Sequence, residues 1–183
     1  TEHLRDKDSA CAALLLAELA LHLKRQGRTI PEQLADLARQ FGYFKNDLLN
    51  LVMTGLEGKQ NMAKMLDTLR TNPPKTIGGL PVTGFEDLRN EDGKMGPFKG
   101  ETDKAARNFL IFRLSGDGID AKVCLRPSGT EPKAKAYIEV SCPAPKAGVS
   151  DTDYAAKCAS VDTLAKSLSA DFLKMAMTAA GQT

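Results

Sequence analysis

Aromatic residues make up only 5% of this chain of 183 residues and its net charge is only +2. The sequence therefore lacks both the stacking platforms and the basic stripe of a nucleic-acid binder, and nucleic acid is not an expected partner. Histidine is nearly absent. His22 has no second histidine at metal-ligand spacing, so a packing role is expected and no metal site is assigned. The cysteines, Cys11, Cys124, Cys142 and Cys158, are scattered without a close pair, which argues against a zinc knuckle or a disulfide framework and for reduced cytosolic thiols. Long apolar runs are missing too. The longest, from Ala10 to Leu23, is broken by Glu18 and His22 and falls short of the ~20 residues of a membrane span. No basic, Ser-rich leader precedes it, so the expected location is the cytoplasm, with no membrane partner. Thr1 rather than methionine opens the chain and leads almost at once into a helix. We expect a piece cut from a larger protein.

What is present suffices for one core and a smaller second one, with 42% hydrophobic and 26% charged residues. Asp8 is placed to cap a first helix that Gly27 stops. Its apolar residues nearly encircle it, so a buried helix is expected, although no upstream strand is there to receive it. Thr29-Ile-Pro-Glu32 reads as a capping box opening a second helix that Gly42 ends. The character changes after Tyr43, and we place a domain boundary near Phe44 to Lys45, dividing 1–44 from 45–183. A strand is expected over Asp47 to Thr54, and a helix from about Lys59 to Arg70 carries Met62, Met65, Leu66 and Leu69 on one face. Asn72-Pro-Pro74 stops it.

Ile77 to Gly84 suggests an edge strand or a pair of short strands, since Pro81 cannot donate to a central ladder. Gly78-Gly79 is no nucleotide fingerprint, and Gly93-Lys-Met-Gly-Pro-Phe-Lys-Gly100 lacks the ending of a P-loop. The glycine- and charge-rich stretch from Asn90 to Lys104 reads as a solvated, mobile loop. Asn108 to Leu114 and Ile119 to Leu125 form strands about a turn at Ser115-Gly-Asp-Gly118. A last helix starts at Ser150, with Tyr154, Cys158, Val161, Ala165, Leu168, Phe172 and Met175 as its apolar stripe. The order of elements predicts an α+β domain with two helices on one face of an antiparallel sheet.

Leu125-Arg-Pro-Ser-Gly-Thr-Glu-Pro-Lys133 concentrates what an oxyanion needs. Arg126 offers a planar donor fork. Ser128 and Thr130 add hydroxyl donors, and Gly129 lets successive amides turn toward one anion. Alternation places Arg126 on the more polar face, where Lys133 or Lys135 of the return strand can reach the same ligand. A tight turn bearing a surface arginine remains the other reading of these residues alone.

The run Arg126-Pro-Ser-Gly-Thr-Glu-Pro-Lys-Ala-Lys-Ala-Tyr-Ile-Glu139 resembles the phosphate-binding loop of the C-terminal domain of the phosphohexose mutases, the phosphoglucomutase and phosphomannomutase superfamily. Arg5-Asp-Lys-Asp-Ser-Ala-Cys-Ala-Ala-Leu-Leu-Leu-Ala-Glu-Leu-Ala20, with Phe41-Gly-Tyr43, resembles the end of that family's third domain, nearest its longer phosphoglucomutase and phosphopentomutase branch. The resemblance implies a TATA-binding-protein-like C-terminal domain, preceded by a helical remnant of the α/β sugar-binding domain. It implies a parent isomerase that moves a phosphoryl group between sugar hydroxyls, using a phosphoserine and Mg2+ held by residues outside this chain.

In such a parent, this part holds the phosphate that is not reacting. Arg126, Ser128, Gly129 and Thr130 carry over as phosphate ligands, with Lys133 and Lys135 beside them and Glu131 bracing the loop. The implied partners are a sugar phosphate and the remaining mutase domains. No nucleophile loop, aspartate triplet or Glu-Glu-Ser-x-Gly sugar motif occurs here, so no catalytic residue is assigned and the fragment alone should be inactive. A freestanding anion-binding or interaction module of α+β fold is the alternative.

Overall fold

The computed structural model describes residues 7–53, 57–128 and 133–182. Helix α1 (Ser9–Arg25) starts where the Asp8 carboxylate accepts the Cys11 amide, and Gly27 follows it at φ 70°. Helix α2 (Ile30–Phe41) opens on the expected capping box: Glu32 accepts from the Thr29 amide at 2.7 Å, and Thr29 Oγ1 accepts from the Glu32 amide. The Thr29 hydroxyl also donates to Glu32, and this bond is the first cause holding the Glu32 carboxyl below its usual range.

Gly42 then turns the chain directly into strand β1 (Tyr43–Val52) at φ 101° and ψ 161°, a region open essentially to glycine alone. A Cβ there would lie 2.7 Å from the Cys142 carbonyl oxygen. Gly42→Ala is expected to cost about 2 kcal/mol and to lower Tm by roughly 4–8 °C in thermal denaturation. An unchanged Tm would overturn this account of the turn.

β1 starts four residues before the expected Asp47. The reason is tertiary: Tyr43 to Asn46 pair with Cys142 to Glu139, which extends the ladder past the apolar run visible in the sequence. Helix α3 (Gly58–Thr71) buries Met62, Met65, Leu66 and Leu69, as their spacing predicts. Strands β2 (Thr76–Ile77) and β3 (Leu80–Asp87) form the short pair, joined by Gly78 and Gly79 at φ 57° and 83°.

The stretch from Asn90 to Lys104 departs from expectation. It is solvent-exposed as expected, but it makes successive turns and runs into a short helix, α4 (Glu101–Ala106). Arg107, only 3% exposed, ties it down. Its guanidinium donates to Asp103, to the Gly96 carbonyl at 2.6 Å and to the Pro97 carbonyl. It also stacks over Phe98, 5.3 Å from the ring centre.

Strands β4 (Leu110–Gly116) and β5 (Ile119–Pro127) meet at a two-residue turn, Asp117 and Gly118, both with positive φ as a type I′ turn requires. Strand β6 (Lys133–Cys142) returns beside β5. Helix α5 (Asp151–Ala179) is capped by Ser150, whose Oγ accepts the Asp153 amide.

The six strands form one antiparallel sheet in the order β1-β6-β5-β4-β3-β2. Their inward residues alternate along β4, β5 and β6 and meet the buried stripe of α5, with Phe112 between Phe85 and Phe172 at 5.2 and 6.0 Å. The fold is α+β, with the helices on one side of the sheet, compatible with a TATA-binding-protein-like description. The other side is open.

The first helix corrects an expectation. Among its residues only Leu23 is buried, while Leu14, Leu15, Leu16, Leu19 and Leu21 are exposed by 41–61%. Encircling apolarity reads as burial only when another element covers it, and within the described residues none does. No helix among the described residues is long and apolar enough to cross a membrane.

Candidate anion-binding site

The sequence of β5 fixes the direction of Arg126. Ile119, Ala121, Val123 and Leu125 are buried against the helices, so the alternate residues Asp120, Lys122, Cys124 and Arg126 face the open side. Arg126 is exposed at the end of that row. On β6 the same logic buries Ala134, Ala136, Ile138 and Val140 and turns Lys133, Lys135, Tyr137 and Glu139 outward.

Register then decides which lysine is the cross-strand neighbour: Lys135 lies directly opposite Arg126, while Pro127 pairs with Ala134. Asn50 of β1 lies opposite Lys135 on its other side, so Asn50, Lys135 and Arg126 form one row across three strands. The chain alternation had brought both lysines to the right face; the ladder picks Lys135 as the neighbour and adds Asn50, which only strand order could reveal.

Beyond Pro127 the two strands are joined by a hydrogen bond from the Ser128 amide to the Lys133 carbonyl, 2.7 Å, which closes the connecting loop. Ser128 and Lys133 thus stand at its two feet. Gly129 and Thr130, expected ligands, and Glu131, the expected brace, lie outside the described residues.

Two cations directly opposite on neighbouring strands repel. Elsewhere on the open face such charges are paired: Lys122 reaches Glu139 at 3.1 Å, and Arg113 reaches Glu86 at 3.0 Å, which holds the Glu86 carboxyl below its usual range. Those pairs border a hollow of about 350 Å³ with Thr83, Ser115 and Ser141, whose charges are already balanced from within the protein. Among the described residues neither Arg126 nor Lys135 forms an ion pair or a side-chain hydrogen bond. Among the described residues, the opposed cations of this face without an ion pair therefore lie at its loop end. Cys124, between the two regions, is nearly buried, and burial pushes its thiol up.

A larger groove of about 680 Å³ lies between α2 and α5, lined by Leu34, Ala38, Tyr43, Tyr154 and Cys158 among others. Its phenols are satisfied, Tyr43 donating to Asp162 and Tyr154 to the Ala38 carbonyl. Burial, first among the causes, pushes both phenols up to about 12, so they remain neutral donors and offer an anion no charge.

No family model matches the chain. A phosphoglucomutase of Staphylococcus aureus strain N315 is 33% identical over 141 residues, and that of strain Mu50 is equally similar. The enzyme of strain MSSA476 is 32% identical over 140 residues. Each match takes in 76% of this chain but 25% of the relative, so the chain spans about a quarter of the length of the proteins it matches. Among solved structures, that of Ara h 8.0201 aligns with 72% of this chain and 97% of its own at 13% identity, with a TM-score of 0.25, and nothing rests on that likeness. Over the matched span, this chain is similar to phosphoglucomutases.

Proposed function

We propose that the loop between β5 and β6 grips the non-reacting phosphate of a sugar phosphate, and that the chain is the C-terminal part of a phosphoglucomutase- or phosphomannomutase-type isomerase. The observation that carries this reading is the opposition of Arg126 and Lys135 without a carboxylate partner among the described residues, at the feet of a loop whose sequence is Pro127-Ser-Gly-Thr-Glu-Pro132. A dianion between them relieves the repulsion and accepts the guanidinium fork. Ser128, Gly129 and Thr130 supply further donors, and Lys133 adds positive potential.

The loop performs no bond-making step. It holds the distal end of the substrate so that the reacting hydroxyl is oriented elsewhere in the parent, which is catalysis by positioning. Residues 1–44 are assigned to the end of the third, sugar-binding domain and 45–183 to the phosphate domain, in a cytoplasmic parent. On this reading the exposed leucines of α1 pack on the remaining domains. Within the described residues there is no group of three or more His, Cys, Asp or Glu fit to hold a metal ion, and the magnesium of the parent is assigned to residues of its other domains. The chain alone is expected to be inactive.

The direct test is titration of the 15N-labelled chain with inorganic phosphate and with glucose 1-phosphate. Saturable shifts are expected at the amides of Arg126, Ser128 and Lys135, and Arg126→Ala should remove them. Shifts centred instead on Arg113 and Lys122, or none at all, would sink the assignment.

A further inference from the structure

We propose that β1 is a self-association edge, to which a second copy of this chain adds its own β1 in antiparallel fashion about a two-fold axis at Leu48. β1 ends the strand order and pairs only with β6 among the described strands, leaving ten residues with one free side. In an antiparallel strand, backbone groups point alternately to the two neighbours. The Leu48 amide is taken by the carboxylate of Asp47, 2.9 Å away, rather than by β6, so the even-numbered residues direct their backbone groups outward.

The side chains of the same residues lie on the open face and read Phe44, Asn46, Leu48, Asn50, Val52. The pattern is palindromic. Phe44, Leu48 and Val52 are exposed by 55, 45 and 55%. Pairing about Leu48 sets Phe44 against the second copy's Val52, Asn46 against its Asn50, and Leu48 against its own equivalent, apolar on apolar and amide on amide. A slip of one residue toward Asp47 places two aspartates face to face and sets asparagine against leucine. Register is thus specified by side-chain matching, as it must be wherever one face is to be buried.

Edges that must stay single are normally blunted by proline, bulges or charges. The opposite edge carries such guards: Pro81 lies on β3, and the β3–β4 register breaks between Val82 and Gly84. β1 has neither proline nor a break in register. Of its two charges, Lys45 meets Asp162 of α5, while Asp47 accepts from the Ser169 hydroxyl with one oxygen and covers only the Leu48 amide with the other. Phe41, two residues before the strand, is 65% exposed as well. Association exchanges the Asp47 contact at the Leu48 amide for a ladder bond.

Sedimentation of the 183-residue chain is expected to give twice its 19.7 kDa. Leu48→Lys should restore the single mass, because it places two cations on the axis. Leu15→Lys on the exposed face of α1 should leave the dimer intact. In a Cys11→Ser background, which removes the exposed thiol, Leu48→Cys should oxidise to a covalent dimer. Phe44→Cys should link to Val52→Cys in a mixture but not to itself. A chain that stays at 19.7 kDa, or a dimer dissolved by Leu15→Lys and untouched by Leu48→Lys, overturns the proposal. Slow exchange of the even-numbered β1 amides in a monomer would show the edge covered from within the protein and overturns it equally.

Discussion

Arg126→Ala in the full-length parent protein is expected to lower kcat/KM for glucose 1-phosphate by one to two orders of magnitude, because a charge-assisted hydrogen bond contributes roughly 1.5–3 kcal/mol and each 1.4 kcal/mol is tenfold. The loss should exceed that of Lys135→Ala. Arg126 can donate two parallel bonds to a phosphate, whereas Lys135 acts as a point charge. Arg126→Lys should recover part of the deficit, since charge returns but the fork does not. Part of the loss should vanish as salt rises, because the exposed cation is screened while the hydrogen-bond geometry is not. Steady-state kinetics in which Arg126→Ala leaves kcat/KM unchanged for both glucose 1-phosphate and mannose 1-phosphate would refute the role of the loop. Arg126 is exposed and packs in no core, so its removal should leave the thermal transition of this chain nearly in place. That separates loss of grip from loss of fold.

The parts of this fold legible in the sequence are those specified by local periodicity. The alternation of β5 and β6 predicts both their buried face and the outward direction of Arg126, and the stripe from Tyr154 to Met175 predicts the contact of α5 with the sheet. Capping at Asp8, Thr29 and Ser150 is equally local, since each side chain bonds an amide three residues on. What the sequence hides is decided by partners far along the chain. Tyr43 to Asn46 are strand because β6 pairs with them, and no alternation in those four residues announces it.

The leucines of α1 show the same limit from the other side. Their spacing fixes a helix, while whether they are buried depends on a neighbour that no local pattern names. At the site, face and charge were readable, but the choice of Lys135 over Lys133 as the cross-strand neighbour of Arg126 needed the register, and Asn50 needed the order of strands. Gly129 and Thr130 lie outside the described residues, and their roles rest on the resemblance of the loop.

Arg107 shows how a long-range partner can override a composition that reads as loop, and it carries the largest expected effect on stability. Arg107→Ala should lower the unfolding free energy by about 2–3 kcal/mol, chiefly because a buried hydrogen-bond network loses its donor. The substitution strips donors from the Gly96 and Pro97 carbonyls, removes the cation over Phe98, and leaves Asp103 without its guanidinium. Arg107→Lys should rescue little, because an ammonium cannot reach the carboxylate and both carbonyls from one planar group. The loss should appear first as rapid amide exchange over 93–107, ahead of global unfolding.

A pH profile distinguishes this ion pair from packing alone. The hydrogen bond from Arg107, first among the causes, holds the Asp103 carboxyl below its ordinary 3.8. A depressed folded-state pKa means that the pair's contribution is fully present above 3.8 and is lost as pH falls through the folded value. The native chain should therefore lose stability on acidification through that window more steeply than Arg107→Ala, whose Asp103 keeps only the Lys99 amide bond and is lowered less. Parallel acid profiles for the two proteins, or a drop of less than about 1 kcal/mol on Arg107→Ala, would mean that the turns from Asn90 to Gly100 hold themselves and that Arg107 merely fills space.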